Sequence, residues 1–281
     1  MKINQALKEG YQYLKKNNID TYNLDTELLL GRCLNKTREE ILLNFDKEIS
    51  YEEYESYRKF LNVRAKQKPI AQIISKKNFW KNDFFVNENV LIPRPDTEIL
   101  IEEALKLSRH KNNINILDIG VGSGCILLSL LLEIDHSRGT GIDISKECIK
   151  VAKINTNNLG LENRTKLFKT DIDNLRVGKY DLIVSNPPYI SRAEIKYLSR
   201  EVRNYEPFIA LDGGIDGLVY VAKVINNSFK LLKKNGTLIL EISSNQKNMV
   251  EKLLINSGFF IKNFVKDYAN NFRCVISKKI K

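Results

Sequence analysis

An α/β fold with a mainly parallel sheet covered on both faces is what this chain predicts from residue 93 onward, behind a helical section and a short β connector. Three observations carry that prediction. The strand-like runs Ile114–Asp118, Thr140–Asp143, Lys166–Lys169, Leu182–Ser185 and Thr237–Glu241 alternate with helical patterns such as Cys125–Ile134 and Lys146–Leu159, which is the pattern of successive βαβ units. A glycine-rich turn, Gly120 to Gly124, follows the first strand and opens a helix. Residues 1–68 lack this alternation and read as all-helical. No internal repeat or low-complexity segment interrupts the three sections.

The helical section is read from its stripes and caps. Ile3, Leu7 and Leu14 mark one apolar stripe, and LDTELLL (Leu24 to Leu30) opens another. Thr37-x-x-Glu40 and Ser50-x-x-Glu53 are capping boxes, each followed by apolar residues at helical spacing. Tyr54, Tyr57, Phe60 and Leu61 repeat at three and four. Pro69 reads as the end of the last helix. In residues 69–92, IAQII and NFWKNDFFVNENVLI are rich in β-branched and aromatic residues with polar breaks, which predicts a hairpin or two short strands joining two domains.

Composition narrows the function classes. The 281 residues are 43% hydrophobic and 28% charged, as in soluble globular proteins. No apolar stretch reaches the ~20 residues of a membrane span, and MKINQALKEGYQYLKK has no uninterrupted apolar core to serve as a secretory signal. Cys33, Cys125, Cys148 and Cys274 form no C-x-x-C pair and read as reduced thiols of a cytoplasmic protein. His110 and His136 match no ligand spacing, so no metal is expected. The net charge of +11 would suit a nucleic acid or ribonucleoprotein. Lysines spread through a Lys/Asn/Ile-rich chain explain it more simply, since no run of five or six basic residues appears.

Chemistry-bearing residues fall at the ends of successive strands. Asp118-Ile119-Gly120-Val121-Gly122-Ser123-Gly124 is not the dinucleotide pattern G-x-G-x-x-G, because position 125 is Cys and the third glycine comes one place early. It is like the loop of S-adenosylmethionine (SAM) enzymes, where glycines let the backbone approach the ligand. Asp143 ends the next strand about 20 residues on, where an acid accepts from ribose hydroxyls. Asp171 ends the third and would accept from an adenine amine, with Ile172 packing beside the base. Helix N-capping is the alternative for both acids.

The fourth strand, YDLIVS, ends in Asn186-Pro187-Pro188-Tyr189. Two prolines stop the ladder and hold Asn186 at the strand's carboxyl end, where open α/β sheets bind ligands. The Asn186 side-chain oxygen and the Pro187 carbonyl are two acceptors for an NH₂ group, and Tyr189 adds an aromatic face. The four residues suit a clamp for a planar C–NH₂ group, either a carboxamide or the exocyclic amine of a base. An ordinary Asn-Pro turn would look the same in isolation; the neighbouring strand ends favour the clamp.

On these residues the chain resembles the HemK-type protein glutamine methyltransferases, which modify the Gly-Gly-Gln motif of bacterial peptide chain release factors. The likeness runs through LDTELLL, the PIAQI-to-VLI connector, PRPDTE (93–98), the Asp118–Gly124 loop, the tetrapeptide at 186–189, YEP (205–207) and ALDGGIDGL (210–218). PRPDTE and YEP…ALDGGIDGL are specific to that family; the glycine loop and NPPY are shared more widely. The resemblance implies a Rossmann-like SAM-dependent methyltransferase fold with a mainly parallel seven-stranded sheet. Its domains would be a helical substrate-recognition domain (1–68), a β-hairpin connector (69–92) and the methyltransferase domain (93–281). It implies SAM contacts from Gly120, Val121, Gly122, Ser123, Gly124, Asp143, Asp171, Ile172 and Asn186. Asn186, Pro187, Pro188 and Tyr189 would hold the glutamine, with Asn186, Pro187 and Tyr189 acting on the transfer. Thr97 would border the cofactor, Arg94 and Glu98 would form a structural ion pair, and Glu206 and Pro207 would shape the pocket wall. Two positions depart from the family: Ile172 stands where an aromatic residue is frequent, and Ser243-Ser244 where a glycine is usual after LEI.

The expected partner is a release factor, with room for transient contact with ribosome or RNA and none with a membrane. Three alternatives stand beside it. An adenine-specific nucleic-acid methyltransferase would use the same clamp, but must flip its base and usually carries a larger reading domain. A glutamine methyltransferase acting on a ribosomal protein would share the chemistry and differ in docking. A non-catalytic SAM-binding RNA chaperone has no use for the clamp.

Overall fold

The computed structural model describes every residue except 110, 112, 176, 177 and 281; His110, discounted above as a metal ligand, therefore lies outside the described residues. The chain forms two compact units, one of residues 1–76 with 199–205, the other of residues 77–198 with 206–281.

The first unit contains α1 (Ile3–Lys16), α2 (Tyr22–Leu34), α3 (Arg38–Leu43), α4 (Tyr51–Ala65) and α5 (Ile70–Ile74). The Ile3, Leu7, Leu14 stripe packs with Leu29, Leu30, Ile41, Tyr57 and Leu61 in one buried cluster. Both capping boxes form: the Thr37 and Ser50 hydroxyls accept from Glu40 N and Glu53 N, and both glutamates reach back. Arg64, buried in this unit, donates to Asp25 Oδ2 at 2.6 Å, to the Lys68 carbonyl and to Glu201. Thr21 donates to the same Asp25 oxygen.

Two expectations are corrected here. IAQII, read with the hairpin, is the helical turn α5, because Ile70, Ile73 and Ile74 recur at three and four and pack on the helical cluster. Five residues, four of them apolar, fit either period, and packing against α2 and α4 selects the helical one. Pro69 accordingly begins a helix rather than ending one; α4 has already stopped at Ala65. The hairpin is only β1 (Lys77–Phe79) with β2 (Asn82–Phe84), and residues 85–92 carry no strand.

The second unit continues with α6 (Glu98–Ser108), β3 (Asn115–Ile119), α7 (Cys125–Glu133), β4 (Arg138–Asp143), α8 (Lys146–Asn158), β5 (Thr165–Lys169) and β6 (Tyr180–Ser185). After α9 (Arg200–Tyr205), which belongs to the helical unit, come α10 (Phe208–Leu211), α11 (Val219–Leu231), β7 (Leu232–Glu241), α12 (Lys247–Asn256), β8 (Phe259–Lys266) and β9 (Phe272–Lys279). The sheet has seven strands in the order β5-β4-β3-β6-β7-β9-β8. Its first five are parallel, while β9 runs antiparallel to both β7 and β8. Side chains alternate across it. Ile116, Leu182, Val184 and Ile239 face a core built with α6, α7 and α8, whereas Leu117, Ile183, Leu238 and Leu240 face one built with α11 and α12. Strand order reverses between β3 and β6, and the carboxyl ends at such a switch point frame the ligand crevice of an open α/β sheet.

Removing one member of a buried ion pair leaves the other desolvated and unpaired. Arg64→Ala is expected to destabilise the helical unit by about 3–5 kcal/mol, read from urea unfolding followed by a probe in α2 or α4.

Candidate functional site

The glycine loop is strapped to the neighbouring strand. Gly120 N and Val121 N both donate to the Ile142 carbonyl at 2.9 Å, and Gly122 N donates to Asp143 Oδ2 at 3.1 Å. Gly120 has φ +77°, and a Cβ built there would meet nothing within 4 Å. A side chain would stand in the open space that the bare backbone now borders. Gly120, Val121, Gly122 and Ser123 line this pocket. Gly124 does not: it caps α7, where a Cβ would come to 3.0 Å from Leu128.

Asp143 lines the pocket from the end of β4, its two oxygens accepting from Gly122 N and Ser145 N. Burial raises its carboxyl pKa against these hydrogen bonds. Asp171 also lines the pocket but is already engaged. Oδ1 accepts from Asp173 N, capping the short helical turn at 172–174, and Oδ2 takes the Lys223 ammonium at 2.7 Å. The capping alternative thus holds for Asp171, and Lys223, a pocket residue not anticipated, competes for it. Ile172 is buried with the α11 core and lines the same wall.

Asn186, Pro187 and Pro188 line the pocket beside the loop. Asn186 Nδ2 donates to Thr97 Oγ1 at 3.2 Å. Thr97 is buried and also borders the pocket. Tyr189 differs from expectation. It is not among the lining residues; its ring packs on the β6–β7 core and its hydroxyl donates to Glu241 Oε1 at 3.0 Å. The tyrosine's hydroxyl is therefore committed to Glu241 behind the turn.

A second loop holds that turn from outside. Ile190 N donates to Leu211 O, and Gly213 N donates to Ile190 O. Gly217 has φ +77°, and a Cβ there would lie 2.3 Å from the Tyr189 carbonyl oxygen. Backbone approaches backbone too closely for any side chain. Buried Gln246 donates from Nε2 to both the Tyr189 and Gly217 carbonyls at 3.0 Å. Ser243, at the position that departs from the family, forms a capping box with Gln246. The ion pair expected between Arg94 and Glu98 is corrected. Arg94 pairs with Glu206, which also accepts from Ile92 N, while Glu98 accepts from Trp80 N. Opposite charge four residues apart suggested the wrong partner, because Arg94 precedes α6 and shares no helical face with Glu98. Pro207 lines the pocket.

Two buried acids carry no role in the spacing argument. Asp118, at the foot of the loop, has neither oxygen hydrogen-bonded among the described residues, and burial beside Asp143 pushes its carboxyl up to about 7. Glu241, at the end of β7, is likewise pushed up to about 7 by burial, against the lowering by Thr97, Tyr189 and Arg273. The readable signal was an acid closing an apolar strand, LILE, as in Asp118 and Asp143. Gln246 and Lys223 had no sequence signal.

Comparison with known proteins gives the family. Residues 5–74 match the model described as PrmC N-terminal domain, and residues 110–279 that described as methyltransferase domain. The chain is 39% identical over 280 residues to a release factor glutamine methyltransferase of Clostridium acetobutylicum, covering 99% of this chain and 98% of the relative. It is 41% identical to a release factor glutamine methyltransferase of Fusobacterium nucleatum, covering 96% and 77%. Among solved structures, a methyltransferase from Pyrococcus furiosus superposes with a TM-score of 0.54 at 18% identity, covering 78% of this chain and 99% of that one, a likeness of fold.

A carboxylic acid whose folded pKa is raised binds its proton more tightly in the folded state. Its stabilising contribution is complete below the usual value of 4.5 and is lost as pH rises through about 7. Between about pH 5 and 8, wild type is expected to lose more stability than Glu241→Gln, read as the difference between their urea midpoints.

Proposed function

The chain belongs to the release factor glutamine methyltransferases, and we propose that Asn186 and the Pro187 carbonyl grip the side-chain amide of the release factor's Gly-Gly-Gln glutamine while its nitrogen is methylated. The hydrogen bond from Asn186 Nδ2 to Thr97 carries this reading. It commits the donor end of the amide to the protein and leaves Oδ1 to accept from an incoming NH₂ group.

The pocket residues suit SAM. Bare backbone at Gly120 admits close approach, Asp143 offers carboxylate oxygens to a ribose, and Ile172 offers an apolar wall to a base. Because Asp171 is paired with Lys223, the adenine subsite is attributed mainly to Ile172. When bound, SAM supplies a methyl group already activated by the positive sulfur.

The acceptor amide nitrogen is a poor nucleophile, since its lone pair is delocalised into the carbonyl. Alignment is therefore the enzyme's main task. As the nitrogen bonds to the methyl carbon and the carbon–sulfur bond breaks, leaving a neutral thioether, the nitrogen gains positive character and its N–H groups become stronger donors, one of which then gives its proton to solvent. Two fixed acceptors, Asn186 Oδ1 and the Pro187 carbonyl, then bind the transition state better than the ground state. Pro187 and Pro188 keep both acceptors stiff. Tyr189 supports the turn through Glu241 instead of contacting the acceptor.

The helical unit is assigned to release-factor docking. A cytoplasmic location follows from the substrate, with room for transient contact with ribosome or RNA. No helix among the described residues is long and apolar enough to cross a membrane.

Radiolabelled SAM is expected to label a release factor, with label lost when its Gly-Gly-Gln glutamine is replaced; label on DNA alone would overturn the substrate. Asn186→Ala is expected to lower kcat by at least ~10²-fold with little change in SAM affinity. Near-normal turnover in steady-state assays of that variant refutes the clamp.

A further inference from the structure

We propose that Glu241 is a positioning residue for the methyl transfer: its ionised carboxylate takes the Thr97 hydroxyl proton and thereby holds the Asn186 amide with Oδ1 toward the acceptor. The inference deepens the clamp and rests on Asn186 being the group that grips the glutamine.

Three observations on neighbouring residues carry it. Asn186 Nδ2 donates to Thr97 Oγ1 at 3.2 Å. Thr97 is buried beside Glu241 and lowers its pKa. Glu241 is 1% exposed, with Oε1 accepting from Tyr189 at 3.0 Å and Oε2 without a hydrogen-bond partner among the described residues. A buried carboxylate oxygen left without a donor is costly, and the Thr97 proton is the donor beside it.

The number of protons decides the orientation of the amide. A threonine hydroxyl has one proton and can donate once. An ionised Glu241 has none and only accepts. With the Thr97 proton given to Glu241, Thr97 Oγ1 can only accept from Asn186, so the amide must turn its NH₂ inward and its oxygen to the pocket. Protonated Glu241 carries its own O–H and can donate to Thr97. The Thr97 proton is then free to donate to Asn186 Oδ1. The amide reverses and presents NH₂ to the substrate's NH₂, donor against donor.

Other groups around Glu241 set its ionisation. Asp96 opposes its charge, whereas Arg273, which pairs with Asp96 and Asp267, favours it; Cys125 and Cys274 also face it, and its charge raises their thiols. Tyr189 and Thr97 favour the ionised form. Burial outweighs them and leaves the carboxyl titrating at about 7. The competent orientation therefore gains population as pH rises through that value.

The test is kcat against pH, with SAM affinity measured by calorimetry on the full-length chain and a release factor as methyl acceptor. Wild-type kcat is expected to rise through about pH 7. Glu241→Gln keeps the shape but places an N–H beside Thr97, as the protonated acid does. It is expected to lower kcat by about 10- to 100-fold, remove the pH limb and leave SAM affinity unchanged. Thr97→Val, which breaks the link with the carboxyl retained, is expected to do the same, and Thr97→Ser to recover kcat and the limb. Wild-type kcat and an unaltered limb in Glu241→Gln, or a limb surviving in Thr97→Val, overturn the assignment and leave the clamp standing. Normal turnover in Asn186→Ala overturns the clamp itself.

Discussion

The parallel register of β3 against β6 is the constraint on which the site depends. Ile119 stands opposite Ser185, and the buried Ser185 hydroxyl donates to the Ile119 carbonyl at 2.7 Å. The residues that follow each strand, Gly120 on one side and Asn186 on the other, therefore leave the sheet at the same level. A shift of one residue would turn every alternating side chain to the opposite face. Leu182 and Val184 would then exchange cores with Ile183. Burial on both faces makes that slip expensive, so the hydrophobic cores fix the separation of the two functional turns.

Around that register the turn after β6 is held from several directions. Thr97 comes from the segment before α6, Gln246 from the end of β7, and Gly213 and Gly217 from the loop before α11. Each contact is to backbone or to an amide, the groups whose orientation decides what the turn can accept. The family-specific strings PRPDTE and ALDGGIDGL thus share one physical task. Both hold the NPPY turn from outside, Thr97 at the Asn186 side chain and Gly213 and Gly217 at the backbone of residues 189–190. Pre-organisation of this kind suits a reaction whose barrier is mainly alignment.

Desolvation raises two carboxyls near the site. Asp118, near the end of β3, and Glu241, at the end of β7, lie buried and are both pushed up to about 7. Asp118 is unpaired among the described residues beneath a loop suited to a sulfonium cofactor, where an acid complements positive charge. Glu241 accepts from the Tyr189 hydroxyl behind the clamp. Buried carboxyls with raised pKa values concentrate where a protein has chemistry to perform.

Local pattern was enough to read the alternation after residue 93, the two capping boxes, the glycine turn and the tetrapeptide, because each depends on residues near in sequence: periodicity, a cap three positions on, a proline that must end a ladder. The antiparallel pair β8 and β9 was absent from that reading, for its strands mix charge with apolar residues and gain definition only by pairing with β7 and each other. IAQII was ambiguous until the helical cluster chose its period. Arg94 found Glu206 rather than Glu98, Lys223 claimed Asp171, and Tyr189 turned from the pocket to Glu241. Those partners lie far apart in the chain, up to 112 positions. Sequence alone determined which residues reach the carboxyl edge of the sheet. Tertiary structure decided which way they face, since orientation is set by where the last hydrogen-bond donor or acceptor comes from.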